Sequence, residues 1–561
     1  MSTPPTRRAL LSGAGLLGTG IVLTACDGDS PAPGTPSATT TGPTLPDLGW
    51  ERVDHAEVPE GGTLRLAVPR LPENWNSHHV AGAVTELDLL RGPMGLGAEF
   101  TAQGIDPDPT YIESAQVTAT QPHTVSFRYN PAATWEDGSP ITVADLISRW
   151  QANNGSDPEY RVATTAGWDR IHSIEQTGDE FTGRIVFASP YADWPTVLHP
   201  DVPATVTATP QAFNQEFIST PTPSRGPFRV ESIDAAGGVV TMVRNENWWG
   251  RAPRLERIVV TAMDSAQTPG AFVAGELDVL EVSTPEELEQ VATRSDARIQ
   301  KTAGSSFTHL TLNVAGPEAH LGDAAVREAI ARGIDRQALA RAALDPLGVP
   351  VTLMDNLVFL PGQPGYQDSF GGLPHDPEAA AALLEEAGWV MESERRSQGG
   401  QQLAIVMVVP SDSPSLTQRA ALVQEDLTAL GIEVEVRTVP AAEFFAQHLA
   451  GGDFDLTTFA WRSTRFPGTS AAAMAYPLES GQNFTGMADE RIGPVLEQLD
   501  AATEEADRAR LAQELSALMA QTFTVIPLYV VPEVWAVRDG VMNLGHSSVE
   551  RVDWTAVGLR G

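Results

Sequence analysis

Residues 403–437, LAIVMVVPSDSPSLTQRAALVQEDLTALGIEVEVR, decide the fold class. The uninterrupted apolar run Leu403–Val409 predicts a strand that is buried on both faces. Ser413 or Ser415 then caps an amphipathic helix, and Gly431 ends that helix. The segment after this glycine alternates apolar and charged residues, as a half-exposed strand does. Strand, helix and strand within about 35 residues predict a βαβ unit with two parallel strands and a right-handed crossover.

Similar signals occur in the rest of the chain. Thr63–Val68 alternates apolar and polar residues and predicts a strand. Thr142, with Asp145 three residues later, predicts a capped helix start. Asp376-Pro377 predicts the start of another helix, which ends at Gly388. Strands that alternate with helices place the protein in the α/β class.

Composition limits the possible functions. The chain has 561 residues, which corresponds to about three to four structural units. Apolar residues make up 42% of it, enough for a folded protein with a sizeable core. Lys and Arg total 36, Asp and Glu total 72, and the net charge is −36. A nucleic-acid partner is therefore not expected, because phosphate binding needs a basic surface.

The first 49 residues predict export and membrane attachment. Arg7-Arg8 precedes the uncharged stretch Ala9–Ala25, as in an export signal. Leu23-Thr24-Ala25-Cys26 resembles a bacterial lipobox, in which the cysteine is acylated. Cys26 is the single cysteine of the chain. The segment Asp27–Gly49 is rich in Pro, Gly, Ser and Thr and predicts a flexible tether. We expect a lipid-anchored protein on the extracytoplasmic face of the cell membrane, exported by the Sec or the twin-arginine route.

A series of short motifs resembles one protein family. In chain order they are Trp135–Thr142 with Asp145, Gly226–Phe228, Arg244–Gly250, Ala274–Asp278, Val326–Ile330 with Ile334–Arg336, Asp376–Gly388, Asp453–Leu456 with Trp461, and Ile526–Tyr529. Their order is similar to that of the family 5 extracellular solute-binding proteins. These proteins are the oligopeptide, dipeptide and nickel receptors of ABC importers.

The resemblance implies a two-lobed periplasmic-binding-protein-like fold with a hinge between the lobes. The expected division is a signal peptide at 1–25, a lipidated Cys and linker at 26–49, lobe I, an inserted subdomain of lobe I at 81–205, and lobe II at 305–529. Lobe I comprises 50–80, 206–304 and 530–561. The chain would cross into lobe II near Gly304 and Ser305 and return after Tyr529.

The same resemblance suggests ligand-binding residues. In peptide receptors of the family, an Asp shortly after the position of Trp461 binds the amino group of the peptide. Here Arg462 and Arg465 occupy this stretch without an acid, followed by Phe466. We therefore expect Trp461 and Phe466 to provide apolar contact and the two arginines to bind an anionic group. The alternative is that the arginines are solvated or paired with acidic residues of this acid-rich protein.

Two further candidates lie in the first pocket loop of the family, at Trp75 and Asn76. A shared metal site at the adjacent His78 and His79 is not expected, because neighbouring side chains point apart. No cofactor is expected.

Two functions remain open. The first is capture of a peptide-like or other small solute and its delivery to an ABC permease and ATPase by a monomeric receptor. The second is binding of a cell-envelope glycolipid, because Trp168–Ile171 and Pro190–Trp194 resemble actinobacterial lipoproteins linked to phosphatidylinositol mannoside and lipoarabinomannan assembly. An enzyme is not expected, because the sequence lacks a G-x-S-x-G elbow, an H-E-x-x-H helix and a P-loop.

Overall fold

A computed structural model describes residues 45–83, 86–95, 108–199, 201–363, 365–411, 413–463, 467–478, 480–502, 504–548 and 550–560. The predicted export signal, Cys26, Arg465 and Phe466 lie outside these residues. No helix within the described ranges is long and apolar enough to cross a membrane.

The strands are β1 (Thr63–Val68), β2 (Ile112–Thr120), β3 (His123–Tyr129), β4 (Ile171–Gln176), β5 (Thr182–Phe187), β6 (Phe228–Asp234), β7 (Val239–Arg244), β8 (Arg257–Ala262), β9 (Val279–Glu281), β10 (Ala297–Leu312), β11 (Val390–Glu392), β12 (Arg395–Gln398), β13 (Gln401–Gln402), β14 (Ala404–Pro410), β15 (Glu433–Val439), β16 (Leu456–Arg462), β17 (Val525–Arg538), β18 (Val541–Met542) and β19 (Gly558–Leu559). The α-helices are α1 (Glu86–Arg91), α2 (Val143–Asn153), α3 (Ala204–Thr207), α4 (Pro210–Gln215), α5 (Thr268–Val273), α6 (Pro285–Val291), α7 (Ala324–Gly333), α8 (Arg336–Leu344), α9 (Pro377–Glu386), α10 (Pro414–Ala429), α11 (Ala441–Glu443), α12 (Pro467–Ala472), α13 (Ile492–Ala501) and α14 (Glu505–Thr522).

We keep the names lobe I, inserted subdomain and lobe II for the predicted divisions of the chain, whose bounds stay predictions. The residues of lobe I form a four-stranded sheet in the order β1-β8-β7-β6, in which β1 and β8 are parallel. The predicted strand β1 buries Leu64, Leu66 and Val68 on one face, as its alternating pattern requires. Residues from the end of the chain, including Val541 and Val557, complete this core.

The inserted subdomain is built on the antiparallel sheet β2-β3-β5-β4. Helix α2 begins at the predicted cap, because the Asp145 side chain accepts a hydrogen bond from the Thr142 backbone N–H at 2.8 Å. Trp135, 1% exposed, packs in the core of this subdomain, and its indole N–H points to Asp145 at 3.4 Å. The motif that predicted the family therefore has a structural role here.

A six-stranded sheet in the order β15-β14-β16-β10-β17-β9 forms the centre of lobe II, and β9 with the outer ends of β10 and β17 extends it into lobe I. The predicted βαβ unit is confirmed: β14 and β15 pair in parallel, and α10 connects them. Gly431 follows the helix with a φ of 82°, a backbone conformation that favours glycine. Helix α9 likewise ends before Gly388, where φ is 91°.

Strands β10 and β17 are the two longest strands and pair with each other over most of their length. Their pairing shifts register between Thr302 and Ser306. Gly304 lies within this irregularity, where the Val531 carbonyl oxygen leaves no room for a side chain. Gly304 and Ser305, where the crossover between lobes is expected, lie at this break in the ladder, and the crossover itself stays a prediction. Local breaks of this kind are where long strands bend most easily.

Candidate functional site

An apolar pocket of about 480 Å³ lies at the end of β16. Its volume is within the range that suits small-molecule ligands. None of the described residues that line it is charged; they are Phe445, Ala446, Ala450, Phe459, Ala460, Trp461, Gly481, Gln482 and Phe484. The pocket therefore suits an apolar group of a ligand.

The pocket wall is formed by aromatic rings from three separate segments. Phe445 belongs to a π-helical turn at Phe444–Leu449, Phe459 lies on β16, and Phe484 lies on a later loop. The ring centroid of Phe445 is 5.4 Å from that of Phe459 and 6.3 Å from that of Phe484. Phe445 is 50% exposed, whereas the adjacent Phe444 is only 2% exposed. The π-helical turn thus buries one phenylalanine and presents the next one to the pocket.

Trp461 and Arg462 occupy the last two positions of β16. They stand opposite Phe307 and Ser306 of β10, next to the register break. Because side chains alternate along a strand, the two point to opposite faces of the sheet. Trp461 is half-buried and lines the pocket. The Arg462 side chain is exposed, and among the described residues it has no hydrogen-bond or ion-pair partner.

Arg462 lies within electrostatic range of acidic residues from lobe I. Burial raises the pKa of Glu281 to about 7, the charge of Glu533 acts in the same direction, and Arg462 opposes both. Glu281 remains open to solvent even so. Arg462 is therefore in electrostatic range of Glu281, which in turn is in range of Glu533, and we call Arg462, Glu281 and Glu533 the charged cluster.

His546 lies next to Glu533 of the charged cluster. The two side chains approach to 3.9 Å, and the His546 ring nitrogen Nδ1 is 2.9 Å from the Thr302 hydroxyl. Burial lowers the pKa of His546, and the charge of Arg462 lowers it as well, whereas Glu533 raises it. The charged cluster therefore combines one guanidinium with two carboxyl groups, and the pKa of Glu281 is raised to about 7.

The structure places Trp75 and Asn76 away from the apolar pocket. Trp75 is 5% exposed and packs in the core of lobe I. Asn76 is fully buried: its side chain donates to the Phe213 carbonyl at 3.1 Å and accepts from the His78 backbone N–H at 3.1 Å. These contacts hold the loop together, and a ligand contact by either residue stays a prediction.

Sequence reasoning missed Phe445, Phe484, Glu281 and Glu533. The only local indication in the sequence was the adjacent pair Phe444-Phe445, which does not fit the spacing of apolar residues on one face of a helix or a strand. Within the described ranges, no group of three or more His, Cys, Asp or Glu residues could hold a metal ion.

Two α/β lobes that share long connecting strands, with an apolar pocket beside the junction, define a solute-binding class of protein. The family model for bacterial extracellular solute-binding proteins, family 5 (middle), matches residues 106–483. The chain is 32% identical over 511 residues to the oligopeptide-binding protein OppA of Mycobacterium tuberculosis, covering 90% of this chain and 86% of that one. The chain belongs to family 5 of the bacterial extracellular solute-binding proteins, as the sequence motifs predicted.

Two other similarities bear on the ligand. A solved structure of the periplasmic EDTA-binding protein EppA superposes with a TM-score of 0.83 at 26% identity, covering 93% of this chain and all of that one. The "probable monoacyl phosphatidylinositol tetramannoside-binding protein LpqW" of M. tuberculosis is 26% identical over 364 residues, covering 59% of this chain and 55% of that one. The family therefore includes relatives named for peptide, chelate and glycolipid ligands.

Proposed function

We propose that the protein is an importer receptor that binds a short peptide with an apolar side chain. The observation that carries this proposal is the aromatic pocket beside Trp461, whose described lining residues carry no charge and which suits a leucine- or phenylalanine-sized group. The charged cluster of Arg462, Glu281 and Glu533 offers charges of both signs, and a free peptide carries both an ammonium and a carboxylate group. The similarity to OppA supports the same ligand class.

The proposal includes attachment and a partner. Cys26, acylated at the lipobox, anchors the receptor on the extracytoplasmic face of the membrane through the linker at 26–49. Two acyl chains hold a protein stably where one does so only marginally. The receptor, a monomer, delivers its solute to an ABC permease and ATPase in the same membrane.

Calorimetric titration with trileucine and triglycine tests the ligand class. We expect trileucine to bind at least about tenfold more tightly, because burial of one leucine side chain contributes about 1.5–3 kcal/mol. Fe(III)-EDTA serves as the comparison ligand. Equal affinity for the two peptides, or binding of the chelate alone, would contradict the proposal.

The second candidate function is binding of a phosphatidylinositol mannoside. It is favoured by the similarity to LpqW and by the arginine that replaces an acid after Trp461. Detergent-solubilised phosphatidylinositol mannoside should then shift the melting temperature upward, while both peptides leave it unchanged. Genes for a permease and an ATPase next to this gene would favour import instead.

A further inference from the structure

The inserted subdomain is fixed to lobe I by a buried ionic network. Asp201 lies 3.0 Å from Arg149 of the subdomain and 3.2 Å from Arg225 of lobe I, and the Arg225 side chain is fully buried. The Glu136 carboxylate also accepts a hydrogen bond from the Ser224 backbone N–H at 2.8 Å. Because two buried ion pairs and a backbone hydrogen bond would have to break together, we infer that the subdomain moves with lobe I.

The same subdomain contacts lobe II at Asp193. Its carboxylate accepts a hydrogen bond from Arg508 of α14 at 2.6 Å and another from the Thr469 hydroxyl of α12 at 3.0 Å. The Asp193 side chain is only 6% exposed. A carboxylate that is nearly buried between two parts of the molecule makes a specific contact, in contrast to a loose surface ion pair.

A second pair of contacts lies beside the first one. Arg170 of the subdomain forms an ion pair with Asp500 of α13 at 2.9 Å. The Asp500 backbone carbonyl accepts a hydrogen bond from the Ala192 N–H at 2.8 Å. Side-chain and backbone contacts thus join one loop of the subdomain to helices α12–α14.

We propose that the inserted subdomain is a latch that holds lobe II in the closed arrangement through the Asp193–Arg508 and Arg170–Asp500 pairs. Lobes of this kind open and close by rotation about a hinge. Because the subdomain is fixed to lobe I, rotation of lobe II must break these contacts. The latch acts on the equilibrium between open and closed protein and does not depend on which solute is bound.

Burial makes the latch sensitive to the loss of one partner. Burial raises the pKa of Asp193 even though Arg508 lowers it, so the carboxylate is costly to enclose. Removal of Arg508 leaves that carboxylate enclosed without its cation in the closed form, whereas opening restores its hydration. The substitution therefore penalises the closed form alone, and the equilibrium shifts toward the open one.

Hydrogen exchange of the full chain measures the latch directly, without any ligand. In Arg508→Ala we expect the Ala192 amide to exchange at least about tenfold faster, and X-ray scattering to show a larger radius of gyration. Arg510→Ala is the matched control, because Arg510 lies on the same helix and its ion pairs among the described residues are with Asp507 and Glu514 of that helix. Ala192 exchange that is equal in Arg508→Ala and the unmodified protein would overturn the proposal, as would an equal acceleration in both variants.

A double-mutant cycle separates the latch from a general loss of stability. If Asp193 and Arg508 act on each other, Asp193→Ala combined with Arg508→Ala should accelerate Ala192 exchange by less than the product of the single effects. Arg508→Lys, which retains the charge, should restore part of the protection. The proposal would be contradicted if the two single-mutant effects on Ala192 exchange multiplied fully in the double mutant. It would also be contradicted if Ala192 exchanged as fast in Arg508→Lys as in Arg508→Ala, because Asp193 and Arg508 would then act only in the packing of their own lobes.

Discussion

Phe445 provides the sharpest test of the apolar pocket. Half of its side chain is exposed at the pocket mouth, so its truncation leaves the core of lobe II intact. Aromatic side chains bury about 150–250 Å² when enclosed, so the exposed half corresponds to about 75–125 Å². At about 25 cal/mol per Å², full coverage of this area by a ligand contributes about 2–3 kcal/mol. Phe445→Ala should therefore weaken trileucine binding by up to about 30- to 150-fold.

Calorimetric titration of the unmodified protein and of Phe445→Ala measures this loss, and urea unfolding measures the stability of both. Phe444→Ala is the contrasting variant, because its 2% exposed ring predicts a loss of about 3–5 kcal/mol in the free energy of unfolding. Val390→Ala controls for nonspecific contact, since Val390 is 49% exposed on the β11 strand of a separate three-stranded sheet. Unchanged trileucine affinity in Phe445→Ala would refute the assignment of the pocket.

Four further predictions concern charge and anchoring. Arg462→Ala should raise the pKa of Glu281 above its value of about 7, because the guanidinium lowers it, and a carbon-13 NMR titration measures the change. Because the pKa of Glu281 is raised in the folded protein, the protonated carboxyl contributes to stability at low pH, and this contribution is lost as the pH rises through about 7. Glu281→Gln should therefore melt at a higher temperature than the unmodified protein at pH 8 but not at pH 4. Although burial acts to raise it, Arg149 and Arg225 hold the pKa of Asp201 far below its usual range. Asp201→Asn should lower the free energy of unfolding in urea by about 3–5 kcal/mol at neutral pH. This difference should shrink in acid, because protonation of Asp201 removes the stabilising carboxylate from the unmodified protein. Cys26→Ser should abolish incorporation of labelled palmitate, and continued labelling would contradict the lipobox assignment.

Much of the fold could be predicted because its signals are local. The strand Thr63–Val68 has the predicted bounds, and the Thr142 and Asp145 capping contacts form as the motif indicates. The βαβ unit followed from periodicity and one glycine. Each of these signals lies within a few residues of the element that it specifies, so tertiary packing had little opportunity to override it.

The apolar pocket could not be predicted in this way. Phe445, Phe459 and Phe484 come from a π-helical turn, a strand and a loop, and none of these segments has a pattern that marks its ring as pocket-lining. Only the pairing of β16 with β10 and β14 and the path of the loop bring the three rings together. Trp461 was found because a family motif marks its position, whereas the rings around it have no such marker.

The loop that follows Trp461 supplies only part of the charge near Arg462. Arginines without a nearby acid in the sequence predicted an anionic ligand, on the assumption that the loop supplies the whole charge of the site. The folded chain brings Glu281 of β9 and Glu533 of β17 into electrostatic range of Arg462 and the neighbouring His546. A guanidinium that faces carboxylates attracts an added anion less strongly than an isolated one. These charges support the proposal of a ligand with groups of both signs, such as a free peptide, while the anionic ligand expected from Arg462 and Arg465 stays a prediction.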